Sequence, residues 1–361
     1  MRFVRLAAVL GGAILLAGCG AASTSAPTST LPGEPAPHPV HDVAVLDAVS
    51  CATAAHCVAV GATTVDGTGV VVPISNGVPG SPVPVTGTKG LFGVSCPTTA
   101  FCEAVGAGNG SGVAVPVTDG SPGPPVPVAG TNSLDGISCP TGPLCEAAGR
   151  SAAQGVVVTL TSPSHAQAPS PVAGTTSVNG IDCVSNSLCQ VVASTSNGRY
   201  NDVVATVAGG VPGLFRVVPP GTSTFSGVAC SSASTCVAVG TGVHLVGSRN
   251  TPEGVVTTIV NGTPGGAVGV AATPAVHLEA VSCGGSAGCV AVGTNGTVAA
   301  GASKGRGVFV SIVGGTPGHA TPVPGSNLIL DGVSCPTSSS CIAVGTDGTA
   351  QVVTLSVPRS S

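Results

Sequence analysis

The chain has 361 residues and a formal charge of −4, and only 7% of its residues are charged. So weak and thinly spread a charge supplies no basic surface for nucleic acid and no cationic patch for an anionic membrane. With 55 glycines, 31 prolines, 2% aromatics and no tryptophan, composition leaves a folded and a disordered chain both open, and periodicity has to decide.

The N-terminus reads MRFVRLAAVLGGAILLAGCG. Arg2 and Arg5 precede an uncharged run from Leu6 to Gly18. That run is shorter than the ~20 apolar residues needed to span a bilayer, and it fits the apolar stretch of a secretory signal. Its end, Leu16-Ala17-Gly18-Cys19, resembles the lipobox of bacterial lipoproteins. The resemblance implies cleavage before Cys19, diacylation of Cys19, and anchorage on the outer face of the cell membrane. The alternative is an ordinary signal peptide with a chance cysteine. Residues 20 to about 30 are small, polar and proline-bearing, as a flexible tether would be.

Beyond the tether the chain repeats itself. Aligned on two cysteines six positions apart, the segments are DAVSCATAAHCVAVG (47–61), FGVSCPTTAFCEAVG (92–106), DGISCPTGPLCEAAG (135–149), NGIDCVSNSLCQVVA (179–193), SGVACSSASTCVAVG (226–240), EAVSCGGSAGCVAVG (279–293) and DGVSCPTSSSCIAVG (331–345). First cysteines recur at intervals of 45, 43, 44, 47, 53 and 52 residues. A period of this length means a propeller or a helical array, and the Gly, Pro and Val content excludes the helical one.

Each repeat divides into four strand-sized pieces. Strand A ends at the first cysteine and strand B starts at the second. Strand C is valine-rich, as in GVVVPIS (69–75), and strand D carries prolines, as in SPVPVTG (81–87). Turns such as NGVPG (76–80) and GGTPG (314–318) join C to D and suit tight hairpins. Prolines cannot donate to an inner ladder, so D is the outer edge. The last repeat has no D of its own, and LPGEPAPHPV (31–40) looks like one. The expected fold is therefore all-β, a seven-bladed propeller with four antiparallel strands per blade and an N-terminal strand closing the last. The expected organisation is a signal peptide over 1–18 and a lipidated cysteine with tether over 19–30. The propeller follows over 31–358, with repeats starting near 46, 91, 134, 178, 225, 278 and 330, and then a tail at 359–361.

The cysteine pairs close short A–B loops of five residues. The expected disulfides are Cys51–Cys57, Cys96–Cys102, Cys139–Cys145, Cys183–Cys189, Cys230–Cys236, Cys283–Cys289 and Cys335–Cys341, because only pairing within a repeat is both local and the same seven times. Zinc is disfavoured: the spacing is too wide for its usual ligand pairs, and no histidine recurs in register. These units resemble those of secreted actinobacterial β-propeller proteins with repeated GVSCPS…CxAVG. The resemblance covers about 31–358 and implies fold and location rather than chemistry. Such relatives often carry W-N-G-x-x-W at the C–D turn, and this chain has no tryptophan.

No catalytic motif stands out. Tyr200 is the only tyrosine, no H-E-x-x-H occurs, and no G-x-S-x-G sits between a strand and a helix. The residue opening strand A is Asp47, Asp135, Asn179, Glu279 or Asp331 in five repeats, and Phe92 or Ser226 in two. Such a ring would either hold a cation such as Ca²⁺ at a channel mouth or cap turns locally, the preferred reading; no other cofactor is expected. Repeats 5 and 6 place extra residues between strands B and C, TGVHLVGSRNTPE (241–253) and TNGTVAAGASKGR (294–306), and repeat 4 has STSNGRYND (194–202) there. Read as loops on one face, these bring together Arg199, Tyr200, His244, Arg249, Lys304 and Arg306 as candidates for binding a partner. The functional expectation is a binding or scaffold module for an envelope protein or glycan. A propeller hydrolase or lyase acting on cell-surface glycans is the alternative.

Overall fold

The computed structural model describes residues 36–161, 165–195, 203–219, 222–246, 249–271, 276–285, 288–299, 302–324 and 327–357; the stretches expected to be a signal sequence and a tether, and Cys19, lie outside them. Within them the chain is all-β, and seven antiparallel sheets follow one another around a ring. Blade 1 sets the pattern, with A at Val43–Thr53, B at His56–Thr63, C at Gly69–Ser75, and D split into Val78–Pro79 and Val83–Pro84. Blade 7 contributes Ile329–Thr337, Ser340–Thr346 and Ala350–Ser356 as A, B and C. Its fourth strand is His38–Val40, which pairs with Ala350–Val352 at the other end of the domain.

The sequence explains which strand sits where. Strand B, as in Cys57-Val58-Ala59-Val60, is buried along its length because sheets cover both its faces. Strand D is short, broken and proline-bearing, so the rim offers little continuous edge to another chain. The core lies between the blades. Leu46, Val49 and Val70 of blade 1 pack with Ile342, Val344 and Val352 of blade 7, and equivalent apolar layers fill the other six seams.

The cysteines face each other across strands A and B, with Cα atoms 3.8 to 4.2 Å apart in all seven disulfides. The expected five-residue loop is tighter than that. Pairing continues past the disulfide to Thr53↔His56, Thr141↔Leu144, Ser185↔Leu188, Ser232↔Thr235 and Thr337↔Ser340, which leaves two-residue turns. The reason is that continued pairing satisfies backbone groups a wider loop would leave to solvent.

A second device joins neighbouring blades. In six blades the residue before the first cysteine accepts, through its side chain, a hydrogen bond from the backbone N–H of the first cysteine in the next blade. Ser50, Ser95, Ser138, Ser282 and Ser334 do so at 3.0 Å, toward Cys96, Cys139, Cys183, Cys335 and Cys51. In blade 4 the residue is Asp182, whose carboxylate accepts from Cys230 at 2.7 Å and from the Ser138 hydroxyl at 3.2 Å. Blade 5 has Ala229 in this place and no side-chain acceptor to offer.

Candidate functional site

Strand A begins at one end of the central channel and runs toward the disulfides. In every blade its ladder with strand B slips by one residue at the same point, between Leu46/Ala48, Leu91/Gly93, Leu134/Gly136, Val178/Gly180, Phe225/Gly227, Leu278/Ala280 and Leu330/Gly332. The residue left over by this bulge is Asp47, Phe92, Asp135, Asn179, Ser226, Glu279 or Asp331. A bulged residue has no partner across the ladder and is re-aimed away from it. All seven converge on one cavity of about 190 Å³ at the channel end.

The bulge also accounts for the glycine that ends each AVG. An added Cβ at Gly61, Gly106, Gly149, Gly240, Gly293 or Gly345 would overlap a strand A carbonyl, that of Val45 in the case of Gly61. Only blade 4 carries a side chain here, Ala193.

Electrostatically the mouth is uneven. Glu279, Asp331 and Asp47 come from consecutive blades 6, 7 and 1. Burial pushes the Asp331 carboxyl up to about 7, and the charges of Asp47 and Glu279 add to it. Burial alone pushes Asp47 up to about 6 and raises Glu279 as its largest effect. Asp135, across the channel, is raised by burial against the opposing charge of Arg150. Local capping is seen for Asn179, which accepts from Ser177 at 2.8 Å and donates to Ser194 Oγ at 2.9 Å and to the Phe225 carbonyl at 3.0 Å. Among the described residues no hydrogen bond reaches Asp47 or Asp331. Among the described residues, no three Asp, Glu, His or Cys side chains form a set that could hold a metal ion.

The B–C connections emerge at this same end, and here the loop reading of repeats 5 and 6 is corrected. Strand B of blade 5, Thr235–Val246, and strand C, Arg249–Val260, stay paired to Val246↔Arg249. In blade 6, Cys289–Ala299 and Ala302–Val313 stay paired to Ala299↔Ala302. Each ladder runs six pairs beyond the channel-mouth level, Gly240↔Val255 or Gly293↔Val308, whereas blade 1 runs one pair beyond Gly61↔Val70. At about 3.4 Å per residue the ribbons rise about 20 Å. Extended pairing prevails over loop because each added pair satisfies its backbone groups within the ribbon.

The binding candidates are thereby sorted. His244 stands opposite Thr251, Arg249 opposite Val246, Lys304 opposite Thr297, and Arg306 opposite Asn295. Arg306 is exposed, and its N–H donates to Asn295 Oδ1 at 3.0 Å. Arg199 and Tyr200 lie outside the described residues. Sequence reasoning missed Asp182, a partly buried carboxyl that burial pushes up to about 6 against the hydrogen bonds it accepts. It also missed Glu103 and Glu146, buried directly after the second cysteine in blades 2 and 3. Glu146 accepts from Thr159 Oγ1 at 2.9 and 3.1 Å. The visible signal was the charge itself, at positions where the other repeats have Ser or Ala before the first cysteine and Val, Gln or Ile after the second.

No protein-family model matches the chain, and no curated protein does. Solved structures with a similar fold include YCF48 from Cyanidioschyzon merolae, at 15% identity and a TM-score of 0.58, over 88% of this chain and 98% of that one. YCF48 bound to D1 peptide matches at 11% identity and 0.58, over 90% and 97%. A streptogramin B lyase matches at 11% and 0.60, over 88% and 96%. Similarity at this identity is a likeness of fold.

Proposed function

We propose that the chain is an extracytoplasmic, lipid-anchored binding module that engages an envelope protein or glycan through the face bearing the channel mouth and the two ribbons. The observation that carries this reading is the ribbon pair: two adjacent blades alone extend their B–C hairpins among the described residues, and they do so on the face where seven bulged residues converge. A peptide-bound propeller among the structural neighbours supports a protein-binding use of the fold. Seven disulfides fit an oxidising compartment. Alanine at Arg199, Arg249 and Arg306 is expected to abolish capture of the partner from envelope extracts and leave thermal unfolding unchanged. Full capture by that triple variant would move the site elsewhere. Cys19→Ser is expected to shift the protein from membranes to the soluble fraction, and membrane retention would remove the anchor from the proposal.

One observation favours a glycan-acting hydrolase or lyase as the second reading. Asp331 and Asp47 are raised to about 7 and about 6, a range suited to proton transfer near neutral pH. Turnover of cell-surface glycans that disappears in Asp331→Asn would select it over binding alone.

A further inference from the structure

On the opposite face, the C–D turns seal the seams between blades. In blades 1, 2, 4, 5 and 6 the turn presents a glycine at positive φ: Gly77, Gly120, Gly210, Gly262 and Gly315. Each is seated on strand C of the preceding blade. An added Cβ would meet Thr354, Pro73, Thr159, Thr206 and Thr258 respectively. The glycine thus serves two needs at once, a left-handed backbone and a close approach.

Two seams have no such glycine turn: blade 3 joins its strands C and D through 161–169, a stretch without glycine, and blade 7 has no local turn at all. In blade 7, strands C and D are Ala350–Ser356 and His38–Val40, and they are joined through the whole ring. The residue their turn would cover is Ser311 of blade 6, which pairs with Val290 as Thr258 pairs with Val237. Ser311 lines a cavity of about 600 Å³ between blades 6 and 7. The cavities at the equivalent seams 1/2 and 4/5, where a turn is in place, are about 270 and about 200 Å³. Blade 6 widens the opening further, because its A–B turn offers only backbone at Gly284 and Gly288. The floor is apolar, with Phe309 and Ile312 buried, and Thr337 of blade 7 adds an exposed hydroxyl on one wall.

We infer that this groove is a second binding site and that it takes a tight, glycine-bearing β-turn of a partner polypeptide. The occupant follows from the protein's own construction, in which the same place at five other seams is filled by the backbone of such a turn. A side chain at the turn's positive-φ position would meet Ser311 as it would meet the hydroxyls of Thr354 or Thr258. This site lies on the face away from the ribbons, so it stands or falls apart from the proposed partner-binding face.

The probe is a cyclised peptide carrying Val72–Gly80, VPISNGVPG, the turn that blade 1 seats on blade 7. Calorimetric titration into the secreted chain is expected to show saturable binding. Binding should be lost with a Gly77→Val version of the peptide, which leaves the protein untouched, and with Ser311→Phe, which fills the groove. Absence of binding to the intact chain, or equal binding of the Gly and Val peptides, would overturn the inference. Binding that appears only after residues 19–35 and 358–361 are removed would overturn it too, because the chain's own ends would then be the occupants.

Discussion

Asp331 sits between Asp47 and Glu279 at the channel mouth, and its proton is held more tightly in the folded protein than in an unfolded chain. For a carboxyl raised to about 7, stability is fully present below the unfolded value of about 4 and is lost as pH rises through the folded one. Asp331→Asn removes the ionisable group. Above pH 7 the variant is expected to be more stable than the parent by about 2 kcal/mol, after allowance for solvent at the mouth, and the gain should vanish near pH 4. Urea unfolding at pH 4 and 8 checks it; an equal effect at both would mean that folding does not raise the Asp331 carboxyl. The serine before each first cysteine makes a second residue-scale case. Ala229→Ser should add the missing blade 5 to blade 6 hydrogen bond and stabilise by about 1 kcal/mol, while Ser50→Ala should cost about as much. A destabilising Ala229→Ser would show that the seam has no room for the hydroxyl.

At the scale of the strand, alternation and cysteine spacing made the blades legible, because a disulfide at a directly facing pair fixes the A–B register. The strand A bulge was not legible. Its extra residue is acidic in four blades but Asn, Phe or Ser in the others, so composition carries no common mark, and the constraint shows instead on the facing glycine of strand B. Gly61→Ala tests that link. Its Cβ would press on the Val45 carbonyl, and a loss of about 2 kcal/mol or more in denaturant unfolding is expected. Full stability would mean that the ladder makes room for a side chain there. The ribbons of blades 5 and 6 were misread for another reason. Gly247, Asn250 and Pro252 look like loop residues, whereas their neighbours Val243 and Leu245 keep the two-residue alternation of a strand. The groove between blades 6 and 7 left no sign in any one repeat, since it arises from a turn that a distant strand cannot supply.

For the whole molecule, seven repeats make a ring only if the first and last blades join. Among the contacts that hold that joint are His38–Val40 on Ala350–Val352, Ser334 accepting from Cys51, and the Thr346 hydroxyl donating to the Ala44 carbonyl at 2.8 Å. The apolar layer between blades 7 and 1 buries Leu46, Val70 and Val352 completely, so opening the joint exposes core on both sides. A closed ring also leaves no free sheet end for another chain to extend, as an open array of the same blades would. Hydrogen–deuterium exchange on the chain, with and without residues 31–40, tests closure most directly. With the segment present, the amides of strand Ala350–Ser356 should be protected like those of the other C strands. Without it they should exchange fast, and the melting temperature of the whole domain should fall. Unchanged protection of Ala350–Ser356 after the deletion would mean that the N-terminal strand does not close the ring.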